Sequence, residues 1–65
     1  NIFLNGSQVH CLPNTTLLQF LEQQNINTSH IAVAIDDVVI FRKNWEITTL
    51  TNGCNILIIK VAQGG

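Results

Sequence analysis

Only one stretch of the chain carries apolar residues at helical spacing. Leu17, Leu18, Phe20 and Leu21 fall at i, i+1, i+3 and i+4, with Gln19, Glu22, Gln23 and Gln24 on the other side. The remaining periodic segments are of strand type. One amphipathic helix of about ten residues covers one face of one sheet, so the chain must fold as a small sheet with a single helix laid across it. Thr15 or Thr16 supplies the cap, its side-chain oxygen accepting from a free N–H of the first turn. The run Asn25-Ile-Asn-Thr-Ser29 competes for backbone hydrogen bonds and stops the helix.

The strands read as pairs around turns. Asn5-Gly6 joins residues 1–4 to 7–11, because both central positions of a type I′ hairpin turn need φ > 0. Pro13, which has no N–H to donate, ends that ladder. After the helix, Ile31-Ala-Val-Ala-Ile35 suits a central strand whose Ile31, Val33 and Ile35 pack against the helix. Asp36-Asp37 turns the chain into a strand over residues 38–41. A polar connection containing Trp45 follows, then a turn at Asn52-Gly53 and a last strand over residues 55–61. The expected order is β-β-α-β-β-β. This predicts an α+β fold, a mixed four- to five-stranded sheet with one main helix, which is the β-grasp or ubiquitin-like architecture. Residues 1–61 form the β-grasp domain and residues 62–65 a flexible C-terminal Gly-Gly tail.

Size and charge narrow the function. A core built from 65 residues supplies only about 3–5 kcal/mol of stability. It has no room for an internal catalytic cavity, so the chain is not expected to be an enzyme. Charged residues make up 11 % of the chain and the formal charge is −1, which leaves no basic face for a phosphate backbone. No apolar run approaches the ~20 residues that span a bilayer, and no basic n-region with an h-region opens the chain. Neither nucleic acid nor membrane is an expected partner. Cys11 and Cys54 are not in a CxxC; one disulfide is arithmetically possible, but they read as buried free thiols in a reducing compartment.

The C-terminus is the most informative feature. By average composition a chain ends Gly-Gly by chance about 0.5 % of the time. Gly64 and Gly65 have no Cβ atoms, so they can enter a narrow slot and let an activating enzyme approach the terminal carboxylate closely, the alternative being a merely frayed end. A free carboxylate is a poor electrophile and must become a mixed anhydride before a nucleophile displaces it. Along the last strand, Ile56 and Ile58 share one face while Leu57, Ile59 and Val61 share the other. With one helix available, the second face shows apolar side chains to water, making Leu57, Ile59 and Val61 candidate partner-docking residues, unless the segment around Trp45 covers them.

Other residues offer less. His10 and His30 lack further ligands at zinc spacing, so no metal site is expected. Asp36-Asp37 reads as a solvated turn, Ser7 and Ser29 have no activating base, and Cys54 has no cationic neighbour to lower its pKa. No phosphate-cradling glycine loop is present, so any ATP is handled by a partner.

These features together resemble the ThiS family of sulfur carrier proteins of thiamine (thiazole) biosynthesis. The resemblance covers essentially the whole chain. It rests on the β-β-α start, Ile31-Ala-Val-Ala-Ile35 leading to Val38-Val-Ile-Phe-Arg-Lys-Asn-Trp45, Asn52-Gly53, and Gly64-Gly65. Arg42-x-x-Trp45 after a Val/Ile strand is its specific part. Phe41 stands where members often carry Pro, and Cys54 where an acidic residue commonly follows the glycine.

The resemblance implies a carrier with no bound cofactor. A ThiF-type adenylating enzyme, using ATP and Mg²⁺, activates the Gly65 carboxylate. A sulfur relay from a cysteine desulfurase converts it to a thiocarboxylate, and thiazole synthase (the ThiG type) takes the sulfur. The small subunit of molybdopterin synthase, a ubiquitin-like protein modifier and a plain interaction module are the alternative functions. The expected compartment is the cytoplasm, or the plastid stroma if the gene is organellar, as eight Asn and nine Ile hint of an AT-rich genome.

Overall fold

The computed structural model describes residues 1–61. Its elements run β1 (Ile2–Leu4), β2 (Ser7–Val9), α1 (Leu17–Gln23), β3 (Ile31–Ile35), β4 (Val38–Ile40), a 3₁₀ turn (Arg42–Asn44) and β5 (Asn55–Lys60). The five strands form one mixed sheet in the order β2-β1-β5-β3-β4. β1 is antiparallel to β2 and parallel to β5, while β3 is antiparallel to both β5 and β4. This is the β-grasp. The first and last strands lie side by side at the centre, and α1 crosses one face.

Both hairpins owe their register to two-residue turns in the left-handed region. Asn5 and Gly6 have φ of 47° and 86°, and Asp36 and Asp37 have φ of 49° and 70°. Asn-Gly is the expected chemistry there, and Asp tolerates the conformation at some cost. Each turn also uses a side chain to hold β5. The Asn5 Oδ1 accepts the Ile58 N–H at 2.9 Å, and the Asp36 Oδ1 accepts the Asn55 N–H at 2.9 Å. The strand that leads to the C-terminus is thereby pinned from both sides.

Helix α1 is shorter than the expected ten residues, at seven. Between the two candidate caps the structure selects Thr16. Its Oγ1 accepts the Gln19 N–H at 3.2 Å, and Gln19 Oε1 accepts the Thr16 N–H at 3.0 Å, a complete capping box. Thr15 is instead buried, with its hydroxyl donating to the Leu12 carbonyl at 2.8 Å. So short a helix persists through its cap and its buried face, since a seven-residue helix is unstable alone. Thr16→Ala should therefore destabilise the fold by about 1 kcal/mol. In a domain of this size that lowers the melting temperature by roughly 4–8 °C. A thermal melt followed by circular dichroism checks this, and an unchanged midpoint would contradict it.

Leu17, Phe20 and Leu21 point from the helix into the core, where they meet Ile2, Val33, Ile56, Trp45, Leu50 and Cys54. Ile31 and Ile35 flank Val33 as half-buried members of the same face, as expected from the sequence. Trp45 is 2 % exposed, and its indole N–H donates to the Ile40 carbonyl at 2.9 Å. The Arg42 guanidinium lies 4.5 Å from the Trp45 ring centroid and also donates to the Thr28 carbonyl at 2.6 Å. Arg42-x-x-Trp45 is thus a structural staple. It ties the 3₁₀ turn to the loop that enters β3.

Candidate functional site

The candidate site lies where β5 ends. Lys60 is the last paired residue of β5, opposite Ile31. Val61 follows just outside the strand, its N–H donating to the His30 carbonyl at 2.7 Å. The expected strand over 55–61 is therefore one residue shorter as a ladder, although Val61 keeps its hydrogen bond to the loop before β3. Residues 62–65, with the proposed flexible tail and the Gly64 and Gly65 assignments, lie outside the described residues.

Register decides which side chains surround that point. Leu57 lies opposite Ala34, and Ala34 opposite Val39; Ile59 lies opposite Ala32. Directly paired residues share a face. Leu57, Ile59 and Val39 therefore project from the face opposite α1, and they are 47 %, 46 % and 56 % exposed. Val61 is exposed as well. The segment around Trp45 does not shield this face, because Trp45 is in the core on the helix side, with its carbonyl accepting the Leu18 N–H at 3.1 Å. The structure thus brings Leu57 and Ile59 together on one open apolar surface, with Val61 at its end. Val39 and Phe3 belong to the same surface and are not evident from the last strand alone. Cross-strand register is what reveals them.

The basic residues are arranged unevenly about this surface. Lys60 closes β5, and Arg42 and Lys43 lie in the 3₁₀ turn that Arg42 ties to Thr28, three residues ahead of β3. All three sit around the end of the sheet at which β5 finishes. Asp36 and Asp37 form the turn at the opposite end, beside Asn55.

The remaining polar candidates stay apart. His10 Nδ1 is 3.3 Å from the Asn1 Oδ1, and no three of His, Cys, Asp and Glu gather as a metal site among the described residues. Ser29 sits in the loop before β3, its N–H donating to the Asn27 Oδ1 at 3.0 Å, and Ser7 is the first residue of β2. Both cysteines are free; Cys54 is buried and Cys11 half-buried. Burial pushes the Cys54 thiol up from its ordinary 9.0. A backbone hydrogen bond at Thr51 partly opposes this, and the charges of Asp36 and Cys11 add to it.

A raised folded pKa means that the unfolded chain loses this proton first. Stability from this group therefore falls as pH rises through 9.0 and goes on falling until the folded thiol titrates. Alkylation at pH 8 should accordingly modify Cys11 well before Cys54, with Cys54 reacting at full rate only in denaturant. Equal rates in the native state would contradict this.

Known proteins provide an independent measure. The chain is 28 % identical over 64 residues to the sulfur carrier protein ThiS of Escherichia coli (strain K12), spanning 98 % of this chain and 97 % of that one. The crystal structure of the thiamine biosynthesis protein ThiS from Geobacter metallireducens superposes with a TM-score of 0.85 at 19 % identity, covering all of this chain and 99 % of that one. A solution structure of a thiamine biosynthesis protein from the same organism gives a TM-score of 0.75 at 20 % identity, over all of this chain and 87 % of that one. These two structures bear on the fold alone. The ThiS family model matches residues 2–65, from the first residue of β1 to the final glycine, and the chain belongs to the ThiS family.

Proposed function

We propose that this chain is a sulfur carrier of thiamine biosynthesis, a protein substrate and not a catalyst. The observation that carries the reading is the family match running through Gly64-Gly65, four residues beyond the end of a pinned β5. The Gly65 carboxylate attacks the α-phosphorus of ATP in a ThiF-type enzyme, and pyrophosphate leaves. The partner supplies the Mg²⁺ and the nucleotide site. A persulfide charged by a cysteine desulfurase then attacks the carbonyl carbon and AMP leaves; a thiol reductant cleaves the resulting acyl disulfide, releasing the thiocarboxylate and leaving a disulfide on the donor. Sulfur replaces one carboxylate oxygen. The thiocarboxylate is a soft nucleophile that reaches a closed site without release of free sulfide, and thiazole synthase of the ThiG type takes the sulfur there. The chain works in the cytosol, or in the plastid stroma if its gene is organellar.

The roles follow from residue type. Gly64 and Gly65 pass through a slot too narrow for a Cβ, and Gly65 provides the reacting carbon. Leu57, Ile59 and Val61 are the docking residues that hold the carrier while the tail is inserted. The test is pyrophosphate release by the activating enzyme as a function of carrier concentration. Gly64→Trp should reduce release per carrier by at least about 10²-fold, because an ångström of displacement at the reacting centre costs about that much. Undiminished release from the Gly64→Trp chain would overturn the threading role.

A further inference from the structure

The two edges of the sheet differ in chemistry. β2, at one edge, presents Ser7 and Gln8 to water. β4, at the other, reads Val38-Val39-Ile40 and runs into Phe41, with no charge or proline among the four. Val38, Val39 and Phe41 are 61 %, 56 % and 66 % exposed. Proteins usually blunt an open edge with a charge, a proline or a bulge, because its free N–H and C=O groups accept another strand. Residues 38–41 carry none of these devices.

Hydrogen-bond alternation decides which backbone groups are open. The two-residue turn at Asp36-Asp37 is closed by Ile35 and Val38, which bond to each other, and Val33 and Ile40 do the same two residues on. The N–H and C=O of Val39 therefore point away from β3. The Phe41 N–H follows the same alternation and has no partner among the described residues, while its carbonyl accepts the Asn44 N–H at 2.8 Å. Phe41 keeps the extended conformation, with φ of −66° and ψ of 146°.

An antiparallel strand centred on Ile40 uses all of these groups if that strand is a second copy of β4. The Phe41 N–H donates to the Val39 carbonyl of the other copy, and the Val39 N–H to the second lone pair of its Phe41 carbonyl. Directly paired side chains share a face, so exposed Val39 packs on exposed Phe41 twice over. The same register sets Asp37 opposite Lys43, both exposed and opposite in charge. The acidic, apolar, basic order along 37–43 is thus complementary to its own reverse.

We infer that β4 is a self-association edge, through which two copies of this chain pair antiparallel about a two-fold axis at Ile40. β4 and β5 run the same way, since each is antiparallel to β3, so the two β5 ends leave the dimer in opposite directions. The contact engages residues 37–43 of each copy, against roughly 20–30 residues a side in a stable complex. The dimer is therefore weak and concentration-dependent, and its existence is independent of the carrier reading.

Sedimentation of the full chain from about 10 µM to about 1 mM tests this, with an expected rise from monomer toward dimer mass. Amide exchange at Val39 and Phe41 should slow over the same range, while exchange at Gln8, the outward N–H of the other edge, should not. Phe41→Pro suits the local φ and removes the outward N–H. It should lower the association constant by more than about tenfold, at an unchanged melting temperature. Lys43→Glu should also weaken association, because it sets like charges opposite each other. Ile47→Lys, exposed but off the sheet, should leave it unaltered.

A monomer at every concentration overturns the inference. So does a dimer that Phe41→Pro leaves intact, or one that protects Gln8 in place of Val39 and Phe41. A dimer dissociated by Leu57→Lys, with β4 amide exchange independent of concentration, overturns it as well and assigns the contact to the open sheet face.

Discussion

A chain that ends at Gly64 should deliver no measurable sulfur, yet melt at the temperature of the full chain. Removing Gly65 draws the terminal carboxylate back by about 3.3–3.6 Å. An ångström of misplacement of a reacting atom costs on the order of 10²-fold, so the deletion loses more than that at the activation step alone. The fold is indifferent to it because the described core runs from Ile2 to Ile58 and is closed by the β1–β5 and β3–β5 ladders. Single-turnover transfer to thiazole synthase, measured beside a thermal melt, separates the two effects. A melt shifted downward by many degrees would contradict the division between a folded carrier and a chemically active end. Retained transfer would contradict the assignment of Gly65.

The second large effect is at Trp45. Trp45→Ala should leave the chain mostly unfolded at 25 °C. Truncating a fully buried aromatic side chain costs about 3–5 kcal/mol, which matches the whole stability of about 3–5 kcal/mol available to a domain this small. Trp45 is also where three interactions meet: the core contacts, the indole hydrogen bond to Ile40 and the stack beneath Arg42. Trp45→Phe should restore most of the fold by refilling the core, while losing the hydrogen bond. Arg42→Ala should cost less than Trp45→Ala, because the guanidinium is on the surface and its stack with the ring is worth about 0.5–1 kcal/mol. Urea unfolding of the three variants checks the order. A Trp45→Ala chain as stable as its parent would refute the central place given to this residue.

Much of this was legible in the sequence for definite reasons. Asn5-Gly6 fixes a hairpin because few residue pairs accept two positive φ values, and Leu17, Leu18, Phe20 and Leu21 leave no other helix to consider. The alternation of β5 identified Leu57 and Ile59 as neighbours on one face before any pairing was known. Other details depend on tertiary structure. The buried place of Thr15, whose hydroxyl donates to the Leu12 carbonyl, depends on tertiary packing, whereas the choice of Thr16 as cap could have been read from Gln19 three residues after it. The side of the sheet taken by Trp45 depends on tertiary packing, so the sequence left the open face undecided. The Asn5 and Asp36 side chains reach β5 across 53 and 19 residues of sequence, a separation at which no local pattern operates. The basic end of the sheet is likewise a product of register. Arg42, Lys43 and Lys60 look scattered along the chain and come to the same end of the sheet only because β3 pairs with β5 and Arg42 holds the loop before β3.

The most direct test of the central claim is the intact mass of the chain after incubation with its activating enzyme, ATP, Mg²⁺ and a sulfur donor. The carrier account predicts a mass gain equal to exchanging one oxygen for sulfur, localised to Gly65, absent from the chain lacking that residue and reversed when thiazole synthase turns over. An unchanged mass with partners of proven activity, or an isopeptide-linked adduct on a lysine of another protein, would contradict it.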